Sequence, residues 1–371
     1  MSKAAELAAL IANVNKGSSL ANKNFIINGA MNVAQRGTSS TGISSSNYYT
    51  VDRFKCTIEN TAGRLTMEQV ADGPDGFANC TKLTCTTADT SIASNEALIL
   101  HQNIEGQNVQ SLKKGTSDAV PVTVSFYVKA NASATYTLEL RSGDGGTNRM
   151  NSQEFSVTTG WTRVELTFVG DTSQVLDDDN EASLLCNIWL HGGSDYTGGS
   201  HTDNAWHTTN NQRVGDNQTS FFDSTSRTFF ITGWQLEIGE KATEFEHEPY
   251  ERTLKKCQRY LETYIVSGTC AVGNSYATNQ FIIPFFWSVT KRDTPTFTFP
   301  TVGTASGNLG VTTNSGAYPS SHGSVMRSIN HTNNWARLYN NSGDGYAGFT
   351  DDHLCTLYGN GTPVIKIESE L

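Results

Sequence analysis

Val122-Thr-Val-Ser-Phe-Tyr-Val128 alternates apolar and polar residues without a break, and the same alternation returns in Tyr136, Leu138 and Leu140 and again in Val164, Leu166 and Phe168. A period of two places successive side chains on opposite faces of an extended chain, so each run reads as a half-buried strand. The runs are joined by turn-forming residues, notably Gly143-Asp-Gly-Gly146 and Gly192-Gly193, and no helical pattern intervenes, which predicts antiparallel neighbours. Two further strands are expected over 184–190 and 229–238. About eight strands between Asn24 and Gly239 without intervening helices predict a β-sandwich of jelly-roll type.

Outward from this block the period changes twice. Leu7, Leu10, Ile11 and Val14 lie three and four apart before Gly17, which predicts a short amphipathic helix within residues 1–22, for oligomerisation or attachment. Tyr250, Leu254, Cys257, Leu261 and Tyr264 repeat at four, three, four and three after Pro249, which predicts a linking helix over 249–265. Strand and turn composition then resumes, with candidate strands at 281–287, 297–299, 335–339 and 363–367. The predicted organisation is a helix (1–22), a jelly roll (23–248), a linking helix (249–265) and a smaller C-terminal β domain (266–371), all-β in class. The length of 371 residues suits more than one domain at ~150 residues each.

Charge excludes one class of partner. The chain carries 26 Lys and Arg against 36 Asp and Glu, net -10, with no basic run, and nucleic-acid binding draws its affinity from clustered cations, so no nucleic acid is expected. The pairs Lys113-Lys114 and Lys255-Lys256 read as solvated faces. There is no long apolar run and no leader pattern at the start, so neither export by that route nor membrane insertion is expected. Seven cysteines with no C-x-x-C spacing read as buried free thiols from a reducing cytoplasm, with no metal role.

Two stretches bracket the predicted sandwich: Asn24-Phe-Ile-Ile-Asn-Gly-Ala-Met-Asn-Val-Ala-Gln-Arg-Gly-Thr38 with Tyr49-Thr-Val-Asp-Arg-Phe54, and Gly233-Trp-Gln-Leu-Glu-Ile-Gly239 with Ala242-Thr-Glu-Phe-Glu246. Together with Cys257-Gln-Arg-Tyr260, these resemble bacteriophage tail fibre and related virion appendage proteins. Ile283-Pro-Phe-Phe-Trp-Ser-Val-Thr-Lys-Arg-Asp-Thr-Pro-Thr296 more loosely resembles the strand that opens their C-terminal domain. The resemblance implies a carbohydrate-binding-module-like jelly roll, a homotrimer, a place in the virion after synthesis in the host cytoplasm, contact with other virion proteins through the N-terminus, and recognition of a host cell-surface glycan or protein. Some carbohydrate-binding jelly rolls place an acidic calcium ligand soon after such an Asn-Gly; here Ala30-Met31-Asn32 stands in its place. Asp52 and Arg53 read as a local ion pair.

No hydrolase, metalloprotease, nucleotide-binding or dinucleotide-binding motif occurs, so binding without catalysis and without a cofactor is expected. Asp177-Asp178-Asp179 lacks EF-hand spacing and reads as a solvated turn. A sugar surface needs aromatic faces for stacking and amides or carboxylates for hydroxyls. Two stretches have that mixture. One is Tyr196 to His207, with Trp206, inside the loop from His191 to Asp216 that also carries His191 and His201; the other holds Trp335, Tyr339, Asn340, Asn341, Asp344 and Tyr346. For the loop a metal site, a ligand surface and an ordinary ordered loop all remain open; for both stretches aromatics packed in a core or at a subunit interface are the alternative. A purely structural virion protein and a glycan depolymerase are the competing functions.

Overall fold

The computed structural model describes Lys3 and residues 23–303, 305–313, 326–349 and 353–371; the helix expected within 1–22 lies outside the described residues. The chain divides into two compact units, residues 1–253 with Leu371, and residues 254–370.

The first unit is all-β. Its strands are β1 Ser39–Ile43, β2 Asn47–Tyr48, β3 Lys55–Glu59, β4 Arg64–Val70, β5 Cys80–Thr87, β6 Ala97–Glu105, β7 Val122–Ala130, β8 Ala134–Ser142, β9 Arg149–Val157, β10 Thr162–Phe168, β11 Ala182–Gly192 and β12 Thr228–Ile238. They form two six-stranded sheets, ordered β1-β4-β5-β12-β7-β10 and β2-β3-β6-β11-β8-β9. Inward residues of the quoted strands meet in one core: Val124, Phe126 and Val128 from the first sheet with Tyr136, Leu138, Leu140 and Ile188 from the second. This is a jelly-roll sandwich. The strands beyond the expected eight include β1 and β2, short edges of Ser, Thr and Asn with little apolar alternation to announce them.

The bracketing motifs are the lock of this sandwich. Asn24 donates through Nδ2 to the Trp234 carbonyl (3.1 Å) and accepts from the Leu236 amide (3.0 Å), which joins the chain start to β12. Asn28, at φ 62°, accepts the amides of Asn32 and Val33 through Oδ1 and donates to the carbonyls of Val33 and Asp52. A buried amide with every lone pair and proton engaged fixes a loop in one conformation. A Cβ on Gly29 would lie 2.0 Å from the Trp234 carbonyl oxygen, so only glycine lets the two segments approach. Asp52, 1% exposed, accepts the Gln35 backbone and side-chain amides, while buried Arg53 donates to the Asn103 carbonyl. These two side chains hold loops, a wider duty than a local pair.

The second unit begins within helix α1, Tyr250–Gln258, and contains β13 Leu261–Ile265, β14 Gly268–Ala277, β15 Gln280–Phe286, β16 Thr296–Thr298, β17 Leu309–Thr313, β18 Arg327–Thr332, β19 Trp335–Tyr339, β20 Leu354–Gly359 and β21 Val364–Glu368. One sheet is ordered β13-β21-β16, the other β17-β20-β14-β15-β19-β18. The helix is shorter than the heptad spacing predicted. It ends at Gln258, whose carbonyl accepts the Lys291 ammonium, a cation satisfying the negative end of a helix. Leu261 and Tyr264 then belong to β13, which pairs with β21 over its whole length. Glu262 is tied to Lys291 Nζ at 2.7 Å, both nearly fully buried, and takes the Ser288 hydroxyl and amide. Thr263, Tyr264 and Ile265 are β-branched or aromatic, and the sheet partner decides their conformation.

All seven cysteines are free; six are buried and Cys270 is partly so. Burial pushes the Cys56 and Cys186 thiols up to about 12, which leaves them protonated and inert. Among the described residues no helix is long and apolar enough to cross a membrane.

Candidate functional site

In the jelly roll the two singled-out aromatics are separated by their duties. The loop after β11 opens with a single helical turn, Ser194–Thr197, and returns over the outer face of the β2–β9 sheet. Tyr196 packs against Trp189 (centroids 4.9 Å apart), and the Arg213 guanidinium lies over both rings at 4.7 Å and 5.6 Å. Arg213 reaches Glu139 through Nε to Oε1 (2.7 Å) and Nη2 to Oε2 (3.0 Å); Asn187 and Trp189 Nε1 also donate to Oε2. Burial works against the Glu139 charge, yet the Arg213 charge and these hydrogen bonds hold its carboxyl below the usual range. The loop is thus clamped over the sheet, and Tyr196 serves that clamp.

Trp206 packs against the edge of the main core. Its Nε1 donates to the Val169 carbonyl at 2.7 Å, and the Lys114 ammonium lies 5.2 Å from its ring. The adjoining cavity, about 20 Å³ and lined by Leu112, Lys114, Leu140, Asp171 and Trp206, has room for a single water and no sugar. Asp171 there is 1% exposed in its side chain and pairs with Lys114 (2.9 Å) and Arg149 (2.7 Å). Of the histidines, His191 is held by Glu96 and Ser220 and His201 by Ser152, while His207 is fixed through its backbone to Met150 and its ring nitrogens are shut from solvent with no hydrogen-bond partner among the described residues. No group of three or more metal-ligating side chains occurs among the described residues. The ordered-loop reading is the one this geometry fits.

The C-terminal sheet is different. Its core side holds Phe281, Ile283, Phe285, Ala336, Leu338, Cys355 and Leu357, so by alternation Ile282, Pro284 and Phe286 of β15 and Trp335, Arg337 and Tyr339 of β19 point the other way. The register sets Phe286 opposite Trp335, Pro284 opposite Arg337 and Ile282 opposite Tyr339. Phe286 is 64% exposed and stacks with Trp335 at 6.0 Å and 26°. Val272 and Leu354, 51% and 57% exposed, continue the same face across β14 and β20. This is an open, rigid aromatic strip on strands, which positions side chains better than a loop does.

Two of the residues expected to act together there do not. Tyr346 is 3% exposed and packs edge-on to Phe281 at 5.2 Å and beside Phe349; it belongs to the core because the turn before it folds back under the sheet. Asp344 is spent on structure: it accepts from Nε and Nη2 of Arg327 (3.0 and 2.9 Å) and from the Asn341 amide (2.7 Å). Trp335 and Tyr339 share the open face. Phe286 and Arg337, not singled out from sequence, join them. Their signal was the period-two alternation itself, which puts Phe286 out of phase with Phe285, and Arg337 in phase with Trp335 and Tyr339.

No family model matches the chain, and no curated protein matches it in sequence. Among solved structures the chain is similar to the enzymatically active domain of tailspike protein 4 of bacteriophage CBA120, with 12% identity and a TM-score of 0.32 over 58% of this chain and 22% of that one. It is also similar to the family 11 carbohydrate-binding module from Clostridium thermocellum in complex with a β-1,3-1,4-mixed-linked tetrasaccharide (10%, TM-score 0.28, 57% of this chain and 99% of that one). A third is TmCBM61 in complex with β-1,4-galactotriose (10%, TM-score 0.30, 59% and 100%). The match thus spans about a fifth of the tailspike chain.

Proposed function

We propose that this chain is a glycan-binding subunit of a phage virion appendage of the tail-fibre kind, homotrimeric, made in the host cytoplasm and acting by recognition of the host surface without catalysis. The sequence motifs at both ends of the sandwich support the virion assignment. The observation that carries the binding role is the open strip of Phe286, Trp335 and Tyr339, whose rings offer flat apolar faces to a sugar ring. Each stacked ring contributes ~1 kcal/mol, weak alone and multiplied when three copies engage one surface.

The test is binding of the full chain to host cells and to immobilised host polysaccharide. Trp335→Ala should weaken binding about fivefold per site, the equivalent of ~1 kcal/mol, with an unchanged circular dichroism spectrum and solution mass. Unaltered binding would remove the strip from the reading. Release of oligosaccharide from the polymer by the wild type would favour a depolymerase instead.

A structural role is the second reading, favoured by the aliphatic half of the same face, where Val272 and Leu354 stand exposed as they would before burial against another copy. Light scattering decides between them when combined with Leu354→Asp: a trimer that dissociates on this change makes the face an interface, and an intact trimer leaves it for a ligand.

A further inference from the structure

Arg337 stands at the centre of the open face, between Trp335 and Tyr339 on its own strand, with Pro284 opposite on β15 and Ile329 opposite on β18. Among the described residues no hydrogen bond or ion pair reaches its side chain. Its near neighbour is the Tyr339 ring, 5.4 Å from the guanidinium carbon, and its Nε is shut from solvent without a partner. Arg327, which faces Tyr339 from β18, is by contrast satisfied by Asp344.

Among the described residues the strands of this sheet supply no counter-charge. Outward residues of the six strands include Ile282, Pro284, Phe286, Val272, Asn274, Leu354, Thr356, Trp335 and Tyr339, and none on these strands is acidic. In a chain with 36 acidic and 26 basic residues, six strands without one carboxylate among them leave the Arg337 guanidinium with a ring for a neighbour and no anion among the described residues. An unpaired donor in a partly desolvated apolar frame is unfavourable, and a buried polar group without a partner calls for one. The planar fork of arginine matches a carboxylate through two parallel N–H···O bonds, and the flanking rings suit a sugar ring attached to it.

We infer that the glycan taken by this face carries a carboxylate, as uronic or sialic-type sugars do, and that Arg337 is the residue that receives it. This rests on the glycan-binding reading above and deepens it. The carboxylate would lie over Arg337 with its sugar ring against Trp335 or Tyr339, and binding would weaken as salt rises, because one partly exposed ion pair is screened.

The experiment uses the full-length protein on immobilised uronate- and sialate-bearing glycans, the same glycans after reduction of their carboxyl groups, and phosphate-bearing glycans. The expected result is at least tenfold tighter binding to a carboxylate glycan than to its reduced form. Arg337→Gln should abolish that preference while leaving residual binding to both, and Arg337→Lys should restore only part of it; unchanged thermal midpoints would show that both variants fold. Trp335→Ala should weaken both forms equally. A preference that survives Arg337→Gln, or a wild type that favours neutral or phosphate-bearing glycans, overturns the carboxylate assignment and leaves glycan binding standing. Binding to no glycan of the set, or binding indifferent to Trp335→Ala, overturns both.

Discussion

Glu139→Gln tests whether the clamp over the jelly-roll sheet is held by charge. Glu139 is fully buried and Arg213 is 9% exposed in its side chain; four donors converge on the carboxylate, two from Arg213, one from Asn187 and one from Trp189, at 2.7 to 3.0 Å. The amide is isosteric, but it turns one of the two acceptors into a donor that faces other donors, and it strands the guanidinium without a counter-ion. Breaking one side of a buried pair costs ~3–5 kcal/mol. At a urea slope of ~2–3 kcal/mol per molar, the unfolding midpoint of the first unit should fall by about 1–2 M. Arg213→Met leaves the carboxylate with two neutral donors and should also destabilise. The double variant should be less destabilised than the sum of the two, since each charge then lacks only a partner that is itself gone. Urea titration followed by tryptophan fluorescence measures all three, and hydrogen exchange at Val214, whose amide donates to the Tyr196 carbonyl, reports the loop directly. A loss below 1 kcal/mol for Glu139→Gln, or strict additivity in the double variant, would refute the argument.

Acidification should act through His101. Burial, with help from Lys55, pushes its pKa from 6.5 down to about 4, so the folded form keeps the ring neutral while the unfolded chain takes up a proton near 6.5. Stability therefore falls as the pH drops from about 6.5 through about 4, by up to ~3 kcal/mol. His101→Gln should flatten that part of the pH profile in urea titrations from pH 7 to 4.5, and an unchanged slope would count against it. Gly29→Ala sets a Cβ against the Trp234 carbonyl and should cost ~1–3 kcal/mol as backbone is forced apart, read as a lower thermal midpoint; a neutral result would mean the two ends of the sandwich are not locked there. Tyr346→Ala should destabilise the C-terminal unit by ~3–5 kcal/mol, as loss of a buried aromatic does, seen as an early unfolding step. A folded variant impaired in glycan binding alone would return Tyr346 to the surface.

The sequence by itself determined the class and the strands, because alternation is a local property: Val124 and Phe126 must point one way and Thr123 and Ser125 the other wherever the strand lies. It also determined the lock motifs as a pattern, though not their purpose, since Asn24 and Leu236 stand 212 residues apart. Tertiary structure alone decided the rest. Leu261 and Tyr264 fit a heptad and a strand equally, and pairing with Val364–Glu368, with Lys291 closing the helix, settled the matter. Which aromatics stay open was likewise not local. Tyr339 and Tyr346 have similar Asn- and Gly-rich neighbours in sequence, yet one lies on the outward phase of β19 and the other sits beneath the sheet against Phe281. Burial is set by what packs on a face, and the residues that do the packing come from strands dozens of positions away.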